Sequence, residues 1–159
     1  MPDWKAPLSA ITGARHGGQV GSSLEPLRAL DARFPNVAEI NYQLAWTCDA
    51  LGRAAEAVPI YEKAIALGLP PHELSGALLG LGSTLRSLGR HDRAAEVLES
   101  GRAQFPGHRE FDVFLALALH DLGRHAEAMQ LLLSVIADTA DDPGLTAYQR
   151  AIRHHAENL

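Results

Sequence analysis

Apolar residues recur at helical spacing over most of the chain. The first clear run has intervals of three or four positions: Val37, Ile40, Leu44, Cys48 and Leu51. This spacing places apolar side chains on one face of a helix, and Gly52 directly after the run marks its end. A second amphipathic segment covers about 54–67 and ends before Gly68. The pattern predicts two helices joined by a very short turn.

The same pattern returns twice more. Each copy carries a Leu-Gly-Arg turn, and the turn glycines Gly52, Gly89 and Gly123 lie 37 and 34 positions apart. A fixed period in this range indicates tandem copies of one helical hairpin, which bury their apolar faces by stacking. We therefore predict an all-α solenoid without strands. Its hairpins cover three ranges: about 37–70, 72–106 and 108–140.

The two ends of the chain depart from this repeat. Residues 143–157 are predicted to form a helix that covers the last hairpin, with Asp142 as its cap and Pro143 at its first position. Residues 22–35 match the second helix of a hairpin and predict an N-terminal half-repeat. Four glycines between positions 9 and 21 favour irregular backbone. We therefore expect a flexible leader over 1–21 and one solenoid domain over 22–159, with seven or eight helices.

Composition narrows the possible partners. The net charge of −5 and the scattered arginines argue against a nucleic-acid partner, which requires a concentrated basic face. The single cysteine, Cys48, excludes an internal disulfide and supplies no zinc motif. The longest apolar run, 113–119, is far short of the ~20 residues that span a bilayer. With no secretory signal in the sequence, we expect a cytoplasmic protein without a membrane partner.

The repeated pattern resembles the tetratricopeptide repeat family from about Ser22 to Asp138. Counting the turn glycine as position fifteen, the family places leucine at seven, small residues at eight and twenty, a bulky residue at twenty-four and an alanine near twenty-seven. At these positions the first copy holds Leu44, Ala45, Ala57, Tyr61 and Ala64, the second Leu81, Gly82, Ala94, Leu98 and Gly101, and the third Leu115, Ala116, Ala128, Leu132 and Val135. The resemblance implies a right-handed α-α superhelix of three full hairpins, with an N-terminal half-repeat and a C-terminal capping helix. The segments 42–46 and 79–86 also resemble a small bacterial subgroup, which implies no defined activity.

In this family the first helix of each hairpin lines a concave groove. The resemblance assigns seven candidate ligand-binding residues to that groove: Tyr42, Trp46, Leu79, Arg86, Val113, Leu117 and His120. Chaperone-binding members carry Lys and Asn in the groove to clamp a terminal carboxylate, and this chain has aromatic and aliphatic residues instead. Acidic residues at the rim favour a neutral or basic ligand segment. The alternative is that these side chains pack against the neighbouring repeat.

Catalytic and metal-binding motifs are missing from the sequence. It contains no nucleophile elbow, phosphate-binding loop, zinc-protease motif or dinucleotide fingerprint. His120 and His125 are five positions apart, whereas helical metal sites favour a spacing of four, and His125 is expected to pack. We predict no enzymatic activity, cofactor or metal. Two functions remain: a scaffold that binds a peptide or helix of a partner protein in the groove, and a module that forms a homo-oligomer through the same surface. The sequence leaves open whether the leader occupies the groove.

Overall fold

The computed structural model describes residues 3–159, so Met1 and Pro2 of the predicted leader lie outside it. The regular structure in this range consists of helices, and no strand occurs there. The ten helices are α1 (Lys5–His16), α2 (Val20–Arg33), α3 (Ala38–Ala50), α4 (Ala54–Leu67), α5 (Pro71–Ser87), α6 (His91–Gln104), α7 (Glu110–Asp121), α8 (His125–Thr139), α9 (Pro143–Ala147) and α10 (Gln149–Ala156). The all-α class is confirmed, and the expected number of seven or eight helices is wrong.

The leader is the main departure from the sequence-based prediction. Helix α1 forms where glycines were expected to prevent a helix, and it packs along α2. Only Gly13 lies inside α1, whereas Gly17 and Gly18 lie at its end, where glycine favours termination. Leu8 is buried, and this packing offsets the weak helix propensity of Gly13. The second additional helix arises because the C-terminal segment breaks at Tyr148 into α9 and α10.

The hairpin turns follow the prediction. Gly52, Gly89 and Gly123 have φ angles of 75°, 74° and 76°. This left-handed conformation is open to glycine at little steric cost. Immediately after the first turn, the backbone N–H of Arg53 donates to the carbonyl of Cys48 at 2.8 Å, which closes the end of α3. The repeated glycine is therefore the residue that reverses the chain in each hairpin.

The chain divides into two compact units, residues 3–88 and 89–159. In the first unit, α3 and α4 form the most extensively packed pair, and α4 also packs against α5. Tyr61 of α4 is fully buried, and a Cβ added at Gly80 of α5 would lie 2.6 Å from its hydroxyl oxygen. Helices α1 and α2 also belong to this unit.

The second unit contains α6 to α10. Phe111 of α7 is fully buried against Gly101 of α6, where an added Cβ would overlap the phenyl ring. Helix α10 packs against α8. As predicted, Asp142 caps α9 by accepting a hydrogen bond from the backbone N–H of Leu145 at 3.0 Å.

A buried carboxylate links α6 to α7 within the second unit. Asp112 is 3% exposed, accepts a hydrogen bond from Arg102, and lies 3.1 Å from a guanidinium nitrogen of Arg109. Replacing it by alanine leaves both arginines without this partner, although both reach solvent and can be rehydrated. We expect Asp112→Ala to lower the free energy of unfolding by about 1–2 kcal/mol in urea titrations. Asp138→Ala is the control; its carboxylate is exposed, and a loss as large as that of Asp112→Ala would contradict the argument.

Candidate functional site

The seven predicted site residues are divided between the two units. Tyr42 and Trp46 lie on α3 and Leu79 and Arg86 on α5, in the first unit. The remaining three lie on α7 in the second unit: Val113, Leu117 and His120. The expectation that all seven line one groove stays a prediction. Within the units, two pockets contain four of these residues, and Leu79, Arg86 and Val113 are half-buried and line neither.

The apolar pocket lies between α7 and α8 and has a volume of about 580 Å³. Its walls come from the second half of α7 and the first half of α8: Ala116, Leu117, His120, His125, Ala128, Met129 and Leu132. Leu117 is 38% exposed and Met129 50% exposed. Leu117 and His120 were predicted as ligand-binding residues, whereas Met129 was not recognised. The pocket therefore brings two exposed large apolar side chains, Leu117 and Met129, together on one surface.

The repeat pattern accounts for this pocket. Leu132 occupies the position that Tyr61 and Leu98 occupy in the preceding hairpins, where both are fully buried. For Tyr61 the cover is the following helix, α5. Leu132 is half-exposed because α10 meets the other end of α8, through Gln149 to the Ala137 carbonyl and an Arg153–Asp138 ion pair of 2.8 Å. The side of the pocket formed by Leu132 thus corresponds to the surface that the following helix covers at Tyr61. In the last hairpin α10 leaves this surface open.

Two histidines form the polar edge of the apolar pocket. The Nδ1 atoms of His120 and His125 are 3.0 Å apart and their ring centres 4.7 Å apart. One imidazole must donate and the other accept for this hydrogen bond to form. The expectation that His125 packs inside the repeat is wrong, because its side chain is exposed. The pair supplies hydrogen-bonding capacity beside an otherwise apolar wall.

The arginine pocket, in the first unit, joins α1 to α3 and α5. It has a volume of about 340 Å³ and is lined by seven residues: Arg15, His16, Tyr42, Gln43, Trp46, His72 and Glu73. The guanidinium carbon of Arg15 lies 4.0 Å from the centre of the Trp46 ring. Trp46 itself is still 37% exposed. The segment predicted as a flexible leader therefore reaches a predicted site residue, and it does so through Arg15.

Tyr42 has a packing role as well as a place in the pocket wall. Its hydroxyl lies so close to Gly76 of α5 that a Cβ there would overlap it, and its ring centre is 6.4 Å from that of Tyr61. Burial raises the pKa of the Tyr42 hydroxyl, and the charge of Glu73 adds to that rise. The alternative from the sequence, packing against the neighbouring repeat, is therefore correct for part of this side chain.

Glu73 gives the arginine pocket a testable pH dependence. Burial raises the pKa of its carboxyl, and the charge of Glu39 acts in the same direction. The folded state thus binds this proton more tightly than the unfolded state, so Glu73 lowers stability as the pH rises through that range. We expect Glu73→Gln to match the wild type near pH ~3.5 and to be more stable at pH ~7.5, because glutamate is protonated at the first value and charged at the second. Urea unfolding at both pH values measures this; an equal difference at both would contradict it.

Paired helices, glycine turns and small residues at the helix crossings define a helical-hairpin repeat protein. The family model described as Tetratrico peptide repeat matches residues 38–159. The chain therefore belongs to the tetratricopeptide repeat family, as its residue pattern predicted. Members of this family mediate protein–protein interactions and are typically non-catalytic. No curated protein matched the sequence.

Solved structures share this fold. A crystal structure of MamA is 22% identical, with a TM-score of 0.75 over 89% of this chain and 80% of that chain. MamA residues 41 to the end from Desulfovibrio magneticus RS-1 are 21% identical, with a TM-score of 0.73 over 99% and 92% of the two chains. Pseudomonas aeruginosa PilF is 17% identical, with a TM-score of 0.72 over 98% and 69%. At these identities the likeness establishes the fold alone.

Proposed function

We propose that this chain is a non-catalytic protein-interaction module that binds a helix of a partner protein in the apolar pocket. The observation that carries the proposal is the exposed pair Leu117 and Met129 beside the half-exposed Leu132, whose counterparts in the preceding hairpins are fully buried. Exposed apolar surface bordered by polar residues is typical of protein-interaction sites. No helix in residues 3–159 is long and apolar enough to cross a bilayer. A cytoplasmic location stays a prediction from the sequence.

A helix suits this pocket better than an extended peptide. Within the first unit, the equivalent surface around Tyr61 is covered by helix α5, which approaches closely at Gly80. A partner helix with a small residue at its point of closest approach would repeat that packing and place apolar side chains against Leu132 and Met129. This is the helix-in-groove mode of recognition, in which apolar anchors recur at intervals of three and four.

The expected affinity is modest. Fully burying a large apolar side chain contributes about 1.5–3 kcal/mol, and three such side chains border the pocket. Association itself costs roughly 4–15 kcal/mol, which cancels much of this gain. We therefore expect affinity in about the micromolar range unless contacts beyond the pocket contribute.

The experiment combines affinity capture with a measurement of self-association. Wild-type protein and a variant carrying both Leu117→Asp and Met129→Asp are used to capture proteins from the source cell, with Leu67→Asp as the control. Leu67 is 38% exposed, as Leu117 is, but lies on α4 in the first unit. We expect the same protein to be enriched by the wild type and the control and lost from the double variant. Equal capture by all three would contradict the proposal.

Self-association through the same surface is the other candidate function. A second copy of the chain also carries helices with exposed apolar residues, so it could fill the apolar pocket. Light scattering at increasing protein concentration separates the two functions. A wild-type mass that stays monomeric supports a partner helix from another protein. A mass that rises with concentration in the wild type but not in the double variant supports self-association.

A further inference from the structure

The aromatic face of Trp46 is occupied by a cation from the chain itself. Arg15 stands 4.0 Å from the ring centre and is only 6% exposed. A guanidinium in this position is attracted by the negative electrostatic potential above the indole ring, most strongly where water is excluded. The arrangement shows that this wall of the arginine pocket accepts a guanidinium group.

The guanidinium of Arg15 nevertheless has few hydrogen-bond partners. Its hydrogen bond to the Thr47 hydroxyl is long, at 3.4 Å, and its buried Nε atom has no partner. Burial lowers the pKa of Arg15, and the groups that oppose this shift are the tyrosines Tyr42 and Tyr61. A buried guanidinium usually forms paired hydrogen bonds with a carboxylate, because it would otherwise lose its hydration without replacement. Arg15 therefore occupies the face of Trp46 without the partners that would hold it there firmly.

Unused hydrogen-bond acceptors lie in the same pocket. The side-chain oxygen Oε1 of Gln43 and the carboxylate oxygen Oε2 of Glu73 are buried and have no hydrogen-bond partner. Burial and the negative charge of Glu39 both raise the pKa of the Glu73 carboxyl. Buried acceptors almost always have donors in native proteins, and the N–H groups of a guanidinium are donors that these two oxygens can accept from. An indole face and two unpartnered acceptors together match the recognition surface of a guanidinium.

We propose that the arginine pocket binds an arginine side chain of a partner protein, which displaces Arg15 from the face of Trp46. The incoming guanidinium would stack on Trp46 and donate hydrogen bonds to Gln43 and Glu73. Helix α1 packs along α2, and Arg15 is the α1 residue that stacks on Trp46 of α3. In the proposed exchange the Arg15 side chain would turn into solvent while α1 keeps its packing on α2. This site is independent of the helix-binding function proposed above, because it lies in the other unit and recognises charge.

The test uses a blocked arginine as the probe. In the variant Arg15→Met, the aliphatic stem of residue 15 remains and its charge is gone. N-acetyl-arginine amide is titrated into this variant and into the wild type, and NMR follows the Trp46 indole N–H and the Gln43 side-chain amide. N-acetyl-citrulline amide, which has the same shape without the charge, is the matched control. Arg15→Gln takes the place of Arg15→Met if the latter does not fold.

We expect the arginine probe to give saturable shifts at both reporters in Arg15→Met. Its affinity for this variant should be about tenfold higher than for the wild type, where Arg15 competes for the Trp46 ring. It should also be about tenfold higher than that of the citrulline probe for the same variant, because citrulline cannot form the cation–π contact. Adding Glu73→Gln should weaken binding of the arginine probe. No saturable shift at Trp46 in the folded variant, or equal binding of arginine and citrulline, would overturn the proposal. Both outcomes leave the apolar pocket untested, so failure here is distinct from failure of the helix-binding function.

Discussion

Gly101→Ala is expected to lower the free energy of unfolding by about 3 kcal/mol, near the upper end of the cost of overpacking a core. The added methyl group would overlap the ring of Phe111, which is fully buried in the tightly packed interior. Helix propensity acts in the opposite direction, because alanine favours a helix over glycine by about 1 kcal/mol. Steric overlap dominates. Thermal and urea unfolding of the full chain measure the loss.

Gly13→Ala is the matched control for that substitution. Gly13 also lies inside a helix, but no atom lies within 4 Å of a Cβ added there. With overlap absent, the gain in helix propensity remains, and the variant should be more stable than the wild type by about 0.5–1 kcal/mol. The two identical changes thus have opposite expected signs. If both stabilise the protein, Phe111 does not pack against Gly101 as described.

The second large effect concerns partner binding. Once a partner helix identified by capture is available as a peptide, the double variant Leu117→Asp, Met129→Asp should bind it at least about 100-fold more weakly. The reason is that burying even one unpaired carboxylate costs several kcal/mol, and each factor of ten corresponds to about 1.4 kcal/mol. Both side chains are exposed in the free protein, so the fold should be preserved. Isothermal titration calorimetry measures the affinity.

Leu67→Asp is the control for this prediction. Its side chain is as exposed as that of Leu117 but lies on α4, outside the apolar pocket. It should bind the peptide as the wild type does, and circular dichroism should give the same helicity for all three proteins. A wild-type affinity in the folded double variant would exclude the apolar pocket as the binding surface.

The repeats could be predicted from sequence because their causes are local. A glycine with positive φ ends the first helix of each hairpin, so the recurring Gly52, Gly89 and Gly123 mark the turns directly. The small residue Gly101 likewise marks a place where a neighbouring side chain must enter. The expectation of irregular backbone in the leader is wrong because the position of a glycine matters more than the number of glycines. Gly17 and Gly18 lie at the end of α1 and do not interrupt it.

The two pockets depend on relationships that the sequence pattern does not contain. Arg15 and Trp46 belong to different helices, and their stacking has no periodic signature. Leu132 fits the family pattern as well as Tyr61 does, yet only Tyr61 is fully buried. The difference arises from where α10 packs along α8, which is a property of the fold. Met129 and His125 were not recognised as candidate binding residues for the same reason.

Site-specific photo-crosslinking tests the helix-binding function most directly. A benzophenone amino acid is placed at position 129 in the apolar pocket and, separately, at position 67 on α4, and the source cells are irradiated. We predict a discrete adduct with one protein from position 129, whose linked peptide is an amphipathic helix, and none from position 67. No adduct from position 129, or the same adducts from both positions, would contradict this prediction.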